Sequence, residues 1–426
     1  MSGLNRRQWM ALAGAATLGG AWALRPRAEG QGHSAYFGRM QSALKEAGVG
    51  APTLVIDRDK LQANIRQVHQ HVKDRLHLRV VNKSLPCLGL LDEVMQHTGT
   101  HRQMVFSLPY LQLIAQQRPQ ADVLLGKPLP VAAAARFYAQ RPANAFEPHK
   151  QLQWLIDTPQ RLHQYRELAR GLKQPLRINL EIDVGLHRGG LAHDAELRDV
   201  VGLLQSEPLL QWSGLMGYDP HTEKIPDLPG LRTSAREAAK ARYQHMADML
   251  AASPLSRPRE QLTLNTGGSP TYRLHDGSGA ANEVAIGSAM VKPSDFDTPL
   301  LVDLQAACFI ATPVLKRAAF QTPHGVEWIG HAVRAWDPNQ AEGLFIYGGH
   351  WLAKPESPAG LAPSGLIGPS SNQQILLGSG LQDLQPDDFV FFRPTQSEAV
   401  LQQFGDIAVY SQGRITHWWP VFPAQA

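Results

Sequence analysis

The sequence predicts a (β/α)8 TIM-type barrel of the α/β class, joined to a C-terminal all-β domain. Three observations lead there. A chain of 426 residues is too long for one ordinary core. Short apolar runs alternate with longer amphipathic segments over about 230 residues, and past residue 299 that alternation gives way to strand-like runs separated by turns.

"APTLVID" (51–57) has the alternating, β-branched character of a strand, and "RDKLQANIRQVHQHV" (58–72) sets Leu61, Ile65 and Val68 at helical spacing. Strands are then expected near 78–81, 103–107, 122–125, 153–157, 177–182, 213–217, 261–265 and 283–286. Helices are expected between them at 131–140, 159–171, 193–205 and 232–251. Eight such units predict a closed barrel over 56–298, with its functional groups on the loops after the strands. Further on, "PLLVDLQAACFIATPVL", "GLFIYGGHWLA", "DDFVFFRPT" and "DIAVYSQGRITHWWPVF" are apolar runs broken by Gly, Pro, Asn and Asp. Residues 299–426, joined by 31–55 with its early strand, are therefore expected to form the β domain.

Composition narrows the class. With 43% hydrophobic and 18% charged residues the chain is globular. Its formal charge of +4 comes without a basic cluster or aromatic-basic interleaving, which argues against nucleic-acid binding. Cys87 and Cys308 lie far apart in apolar runs and read as small core residues, not as a disulfide framework or zinc site. Residues 1–30 read as a signal peptide and spacer. Arg6 and Arg7 precede a mildly apolar Ala/Gly-rich run too short to span a membrane stably, and Ala21-Trp22-Ala23 offers a small-x-small cleavage site. The paired arginines point to the Tat route and a periplasmic protein. Removing residues 1–23 would take both arginines and lower the charge from +4 to +2.

The strand ends carry the chemistry. Lys83, in "RVVNKS", follows the first barrel strand; it is either a solvated loop charge or an amine placed to condense with an aldehyde cofactor. "EIDVGLHRGG" puts Arg188 after strand five, as a surface cation or as a planar fork for an anionic ring oxygen. "GLMGYDPH" offers Tyr218 as a ring contact or proton relay, and His221 as an acid/base group or a plain loop histidine. After strands seven and eight, "NTGGSPTY" and "AIGSAM" place Thr266, Gly267, Gly268, Ser269, Gly287 and Ser288 where barrels recurrently bind phosphate.

As an ordered set these motifs resemble the D-threonine aldolase and D-serine dehydratase family, over roughly residues 50–425. That family consists of fold-type III pyridoxal-phosphate (PLP) enzymes, with an alanine-racemase-type barrel and a C-terminal β domain. The resemblance implies PLP as cofactor, Lys83 as its Schiff-base lysine and Arg188 on its phenolic oxygen. It further implies Tyr218 beside the ring, and Thr266, Gly267, Gly268, Ser269, Gly287 and Ser288 around the phosphate. An amino-acid substrate and a homodimer are implied as well.

The departures lie at the substrate end. Alanine racemases carry an arginine two residues before the glycine after strand eight, where this chain has Ala285. Family lyases bind a divalent metal through His-x-Cys or His-x-Asp, and "RPTQSEAVL" puts Gln396 and Glu398 at those positions. A neutral amide is a poor ligand, and a lone carboxylate suits magnesium or manganese better than zinc. Glu398 could instead bind a substrate ammonium, act as a base, or be a solvated acid. Leu85 and Pro86 replace a His and Lys that the family carries there.

The expected function is a PLP-dependent lyase that cleaves or dehydrates a β-hydroxy D-amino acid. The alternatives are an amino-acid racemase, with Tyr347 as a second base, and a periplasmic PLP-binding protein without turnover.

Overall fold

The computed structural model describes residues 25–398 and 400–423; the signal-peptide reading of residues 1–23 lies outside the described residues. The chain divides into two compact units. One comprises residues up to Val55, Phe309–Pro394 and Gln412–Ile415, and the other comprises Ile56–Cys308, Thr395–Ser411 and Thr416–Ala426.

Strand β1 (Thr53–Asp57) leads into the helix Arg58–Val72, whose N-cap Asp57 accepts the Lys60 amide and whose buried face is Leu61, Asn64, Ile65, Val68 and Val72. The barrel strands follow: β2 (His77–Val81), β3 (Arg102–Val105), β4 (Asp122–Leu125), β5 (Leu152–Ile156), β6 (Leu176–Ile182), β7 (Leu210–Gly217), β8 (Thr263–Thr266) and β9 (Glu283–Ile286). Each pairs in parallel with the next, and β9 returns to β2 with Leu78 opposite Val284, closing the barrel. All eight expected strands are present, and the four expected helices appear as Val131–Ala139, Pro159–Leu172, Asp194–Ser206 and Leu231–Ala251.

The barrel interior is not wholly apolar. Arg79 of β2 is fully buried, and its Nε and Nη2 donate to Glu283 of β9 at 2.5 and 3.0 Å. Asn265 of β8 donates to the same carboxylate at 2.9 Å. Gln153 sits between Asn179, Ser213 and Thr263, bonding all three. Pairing of this kind is what lets a charge remain buried. It forms a polar floor under the strand ends.

In the other unit β10 (Cys308–Ala319), β11 (Glu342–Tyr347), β12 (Ala353–Ser357), β13 (Ala362–Pro363), β14 (Gln373–Gly378) and β15 (Phe389–Pro394) form an antiparallel sheet. Its order runs β13-β14-β11-β10-β1, and β15 pairs with both β10 and β12. Two corrections arise. The helix Glu327–Trp336 lies in a stretch expected to be all β; Trp328, Ile329, Ala332, Val333 and Trp336 fall at helical spacing there. The described residues of 395–411 and 416–423, expected in the β domain, cluster with the barrel. Cys87 bridges to Val421, and the Phe422 amide donates to the Pro86 carbonyl at 2.8 Å. The stretch carrying Gln396 and Glu398 belongs to the barrel unit as well. Among the described residues no helix is long and apolar enough to cross a membrane.

Candidate active site

At the C-terminal ends of the barrel strands lies an open cavity, the face on which barrels of this kind place their functional groups. β2 runs into a single 3-10 turn, Asn82–Ser84, which turns Lys83 into the cavity. Its ammonium lies 4.6 Å over the ring of Phe106, the residue just past β3. Burial pushes the Lys83 pKa down, Glu398 pulls it back up, and Arg188 and Lys127 lower it; the net shift is downward.

Arg188 stands on the loop after β6. Asp183 shapes that loop by accepting the amides of Gly185 and His187 at 2.9 and 3.0 Å. The guanidinium lies 5.1 Å over the Tyr218 ring, which is the first residue after β7. Burial raises the Tyr218 pKa to about 12, so its hydroxyl keeps its proton. Beneath Arg188, burial raises the Glu181 pKa to about 7, with Arg188 opposing.

The loop after β8 carries Gly267, Gly268 and Ser269, all lining the cavity. Gly267 has φ +63°, a conformation that side chains disfavour, and a Cβ on Gly268 would meet Tyr218 Cε2 at 2.5 Å. One chain of hydrogen bonds fixes this turn: the Gly268 amide donates to Thr271 Oγ1 at 3.2 Å, and Thr271 donates to Asp219 Oδ1 at 2.6 Å. Asp219 Oδ2 pairs with His275 Nε2 at 2.9 Å. Burial raises the Asp219 pKa, but the hydrogen bonds and charge from His275, with Thr271, outweigh it and leave it below the ordinary value. Ser269 Oγ accepts the amides of Gly287 and Ala289 at 3.0 and 3.2 Å, joining the β8 loop to the turn after β9.

Of the residues singled out by sequence, Lys83, Arg188, Tyr218, Gly267, Gly268, Ser269 and Ser288 line this cavity together, as does Glu398. Thr266 lines a neighbouring cavity behind the loop, and Gly287 lies between Ser269 and Ser84. His221 stands outside the wall, its ring packed toward Gly185. Tyr347 ends β11 in the other unit and is 42% exposed. Asp219 and His275 were not expected; their only signal was an acidic residue in "GYDPH".

The cavity fits PLP. Two cations, Lys83 and Arg188, against one carboxylate, Glu398, leave a positive excess for an anionic cofactor, and the Gly267–Gly268 turn that lines the cavity has no place for a side chain, since a Cβ would meet His275 or Tyr218. The family's metal does not fit the residues present. Gln396 turns its amide NH2 to Asp295 at 3.3 Å, while Glu398 accepts Ser84 Oγ at 2.7 Å and Ser288 Oγ at 3.3 Å. The two side chains serve different partners. Among the described residues no group of three or more His, Cys, Asp or Glu is arranged to hold a metal ion.

The family model described as alanine racemase, N-terminal domain, matches residues 56–295. Among solved structures, D-threonine aldolase from Filomicrobium marinum is similar with TM-score 0.70 and 17% identity, covering 88% of this chain and 95% of that one. D-threo-3-hydroxyaspartate dehydratase from Delftia sp. HT23 gives 0.70 and 15%, covering 88% and 98%. Alanine racemase from Bacillus anthracis gives 0.65 and 12%, covering 87% and 98%. No curated protein matches the chain significantly in sequence.

Proposed function

The chain belongs to the alanine racemase N-terminal-domain family of PLP-dependent enzymes, and from that premise we propose that it is a PLP-dependent lyase acting on a β-hydroxy D-amino acid. The observation that carries this reading is the single cavity lined by Lys83, Arg188, Tyr218, Gly267, Gly268 and Ser269. When bound, PLP supplies an electron sink for the pair released at the substrate's Cα.

The chain's own residues have separate tasks. Lys83 would hold the cofactor's carbonyl carbon, Arg188 its ring oxygen, and the Gly267–Ser269 loop with Ser288 its phosphate. Tyr218 forms the wall beside the ring. Because its pKa is lowered, Lys83 reaches the neutral amine more readily than an exposed lysine and would accept or return a proton at the substrate's Cα. Met104, Phe106, Met216 and Phe296 make an apolar lining that limits water around the reacting carbons. Ala285, where racemases carry arginine, also lines the cavity, which favours lyase over racemase chemistry.

Export by the Tat route to the periplasm and a homodimeric assembly belong to the same proposal. Fractionation of cells and sedimentation of the purified protein test these two. For the activity, the PLP-loaded protein is incubated with single enantiomers of β-hydroxy amino acids. Release of aldehyde plus glycine, or of an oxo acid plus ammonia, from D-enantiomers alone is the expected result. Interconversion of enantiomers would assign a racemase, and PLP binding without any turnover a binding protein.

A further inference from the structure

Resting on that reading, we propose that Glu398 and Lys83 form a proton relay that serves the substrate's β-hydroxyl without a divalent metal, and that Glu398 restricts substrates to those without a second carboxylate. The Glu398 carboxylate is the only acidic group among the described residues lining the cavity. Its Oε1 lies 3.8 Å from Lys83 Nζ. Ser84 Oγ donates to Oε1, and the linked hydroxyls of Ser288 and Ser397 supply one further donor, from Ser288 to Oε1 or from Ser397 to Oε2, each at 3.3 Å. Ser288 and Ser397 share a further hydrogen bond of 2.9 Å. These hydroxyls thus aim one carboxylate at the lysine.

The other groups in the cavity cannot take this part. Tyr218 keeps its proton, Arg188 is permanently charged, and among the described residues no histidine or cysteine lines the wall. Glu398 is therefore the one lining group besides Lys83 whose side chain offers an acid/base atom to the cavity, 3.8 Å from the lysine. A metal activates a hydroxyl by withdrawing charge from its oxygen; a carboxylate activates it by taking its proton.

The proton balance closes on these two residues. In retro-aldol cleavage the hydroxyl proton passes to Glu398 and the O–H pair becomes the C=O bond of the aldehyde. The Cα–Cβ pair stays on Cα, and the proton reaches Cα by way of Lys83. In dehydration it runs the other way: Lys83 takes the Cα proton and Glu398 delivers one to the departing hydroxyl, released as water. A substrate bearing a second carboxylate would meet Glu398 as a like charge, whereas a neutral β-hydroxy amino acid would not.

The test uses the full protein loaded with PLP and treated with EDTA, then assayed on D-threonine, D-serine and D-threo-3-hydroxyaspartate. Turnover is expected to stay within twofold when EDTA, Mn2+ or Zn2+ is added, with the first two substrates preferred at least tenfold over the third. Glu398→Gln should lower kcat about 100-fold or more while PLP affinity changes little, and should narrow that preference; Ser84→Ala should show a smaller loss.

A second readout needs no activity. In the PLP-free protein Lys83 faces Glu398, Arg188, Lys127 and Tyr218. Removing the carboxylate deletes the one charge that favours the ammonium. The pH midpoint for modification of Lys83 by an amine reagent should therefore fall, and modification at pH 7 should quicken roughly two- to threefold in Glu398→Gln. Loss of turnover in EDTA with recovery on metal addition, or a Glu398→Gln protein that turns over like wild type, overturns the relay alone. Failure of the wild type to bind PLP, or binding without turnover of any of these substrates, overturns the functional reading and the relay together.

Discussion

Lys83, Glu398 and Asp219 differ in how much of their role can be read from the sequence. Lys83 was legible because a lone lysine straight after a strand of alternating apolar residues has a defined address in a barrel. Glu398 was legible only as a residue in an unusual place, since what it does depends on Ser84 and Ser288, 314 and 110 positions away. Asp219 showed only as an acidic residue in "GYDPH", with no sign of its role, because its work is done through Thr271, 52 residues downstream. Asp219→Asn should loosen the Gly267–Gly268 turn and weaken PLP binding about tenfold, measured by titrating PLP into the apoprotein. A change in Kd under twofold would show that the turn holds its shape unaided. The same carboxylate has a folded pKa below its unfolded value of about 3.9. Its contribution to stability is thus present above that value and is lost as pH falls through the folded pKa. Acid unfolding of Asp219→Asn should accordingly depend less on pH below about 4 than that of wild type.

At the scale of elements, apolar periodicity located the eight barrel strands to within three residues at each end, because each strand is buried on both faces and bounded by turn residues. The pattern failed where an element stands among strands of different period: the helix Glu327–Trp336 has an amphipathic face but a neighbourhood of turns. Interior detail was also hidden. β7 slips register against β6 between Ile178 and Asn179, with Gly214 entering the ladder where Ser213 is passed over. Gly214 has φ +154°, and a Cβ there would stand 1.9 Å from the Thr263 carbonyl oxygen of β8. Gly214→Ala should therefore destabilise the barrel by about 2–4 kcal/mol, read by denaturant or thermal unfolding. An unchanged midpoint would mean the two strands can separate without cost.

For the molecule as a whole, closure of the barrel rests on a polar contact as well as on apolar burial. Arg79 of β2 and Glu283 of β9 join the first and last strands, and both are fully buried. Glu283→Gln would leave the guanidinium buried without a full counter-charge and should cost about 3–5 kcal/mol; Arg79→Met with Glu283→Gln together should cost less than Glu283→Gln alone. A double variant no better than the single would locate the loss in the Asn265 and Arg102 bonds to the same carboxylate.

The division of the chain shows most clearly what sequence withheld. Strand-like runs marked the C-terminal third as β, yet nothing local to residues 395–398 signals that they pack with the barrel and bring Glu398 to Lys83.

Every role proposed for the cavity depends on Lys83 holding PLP there. The most direct test is the absorbance spectrum of the purified protein with added PLP, before and after borohydride, followed by mass mapping of the labelled peptide. The expected result is a visible band that borohydride bleaches, with one PLP fixed on the peptide containing Lys83, and no such label in a folded Lys83→Ala protein. The absence of a band, or a label carried by another lysine, would contradict that role of Lys83.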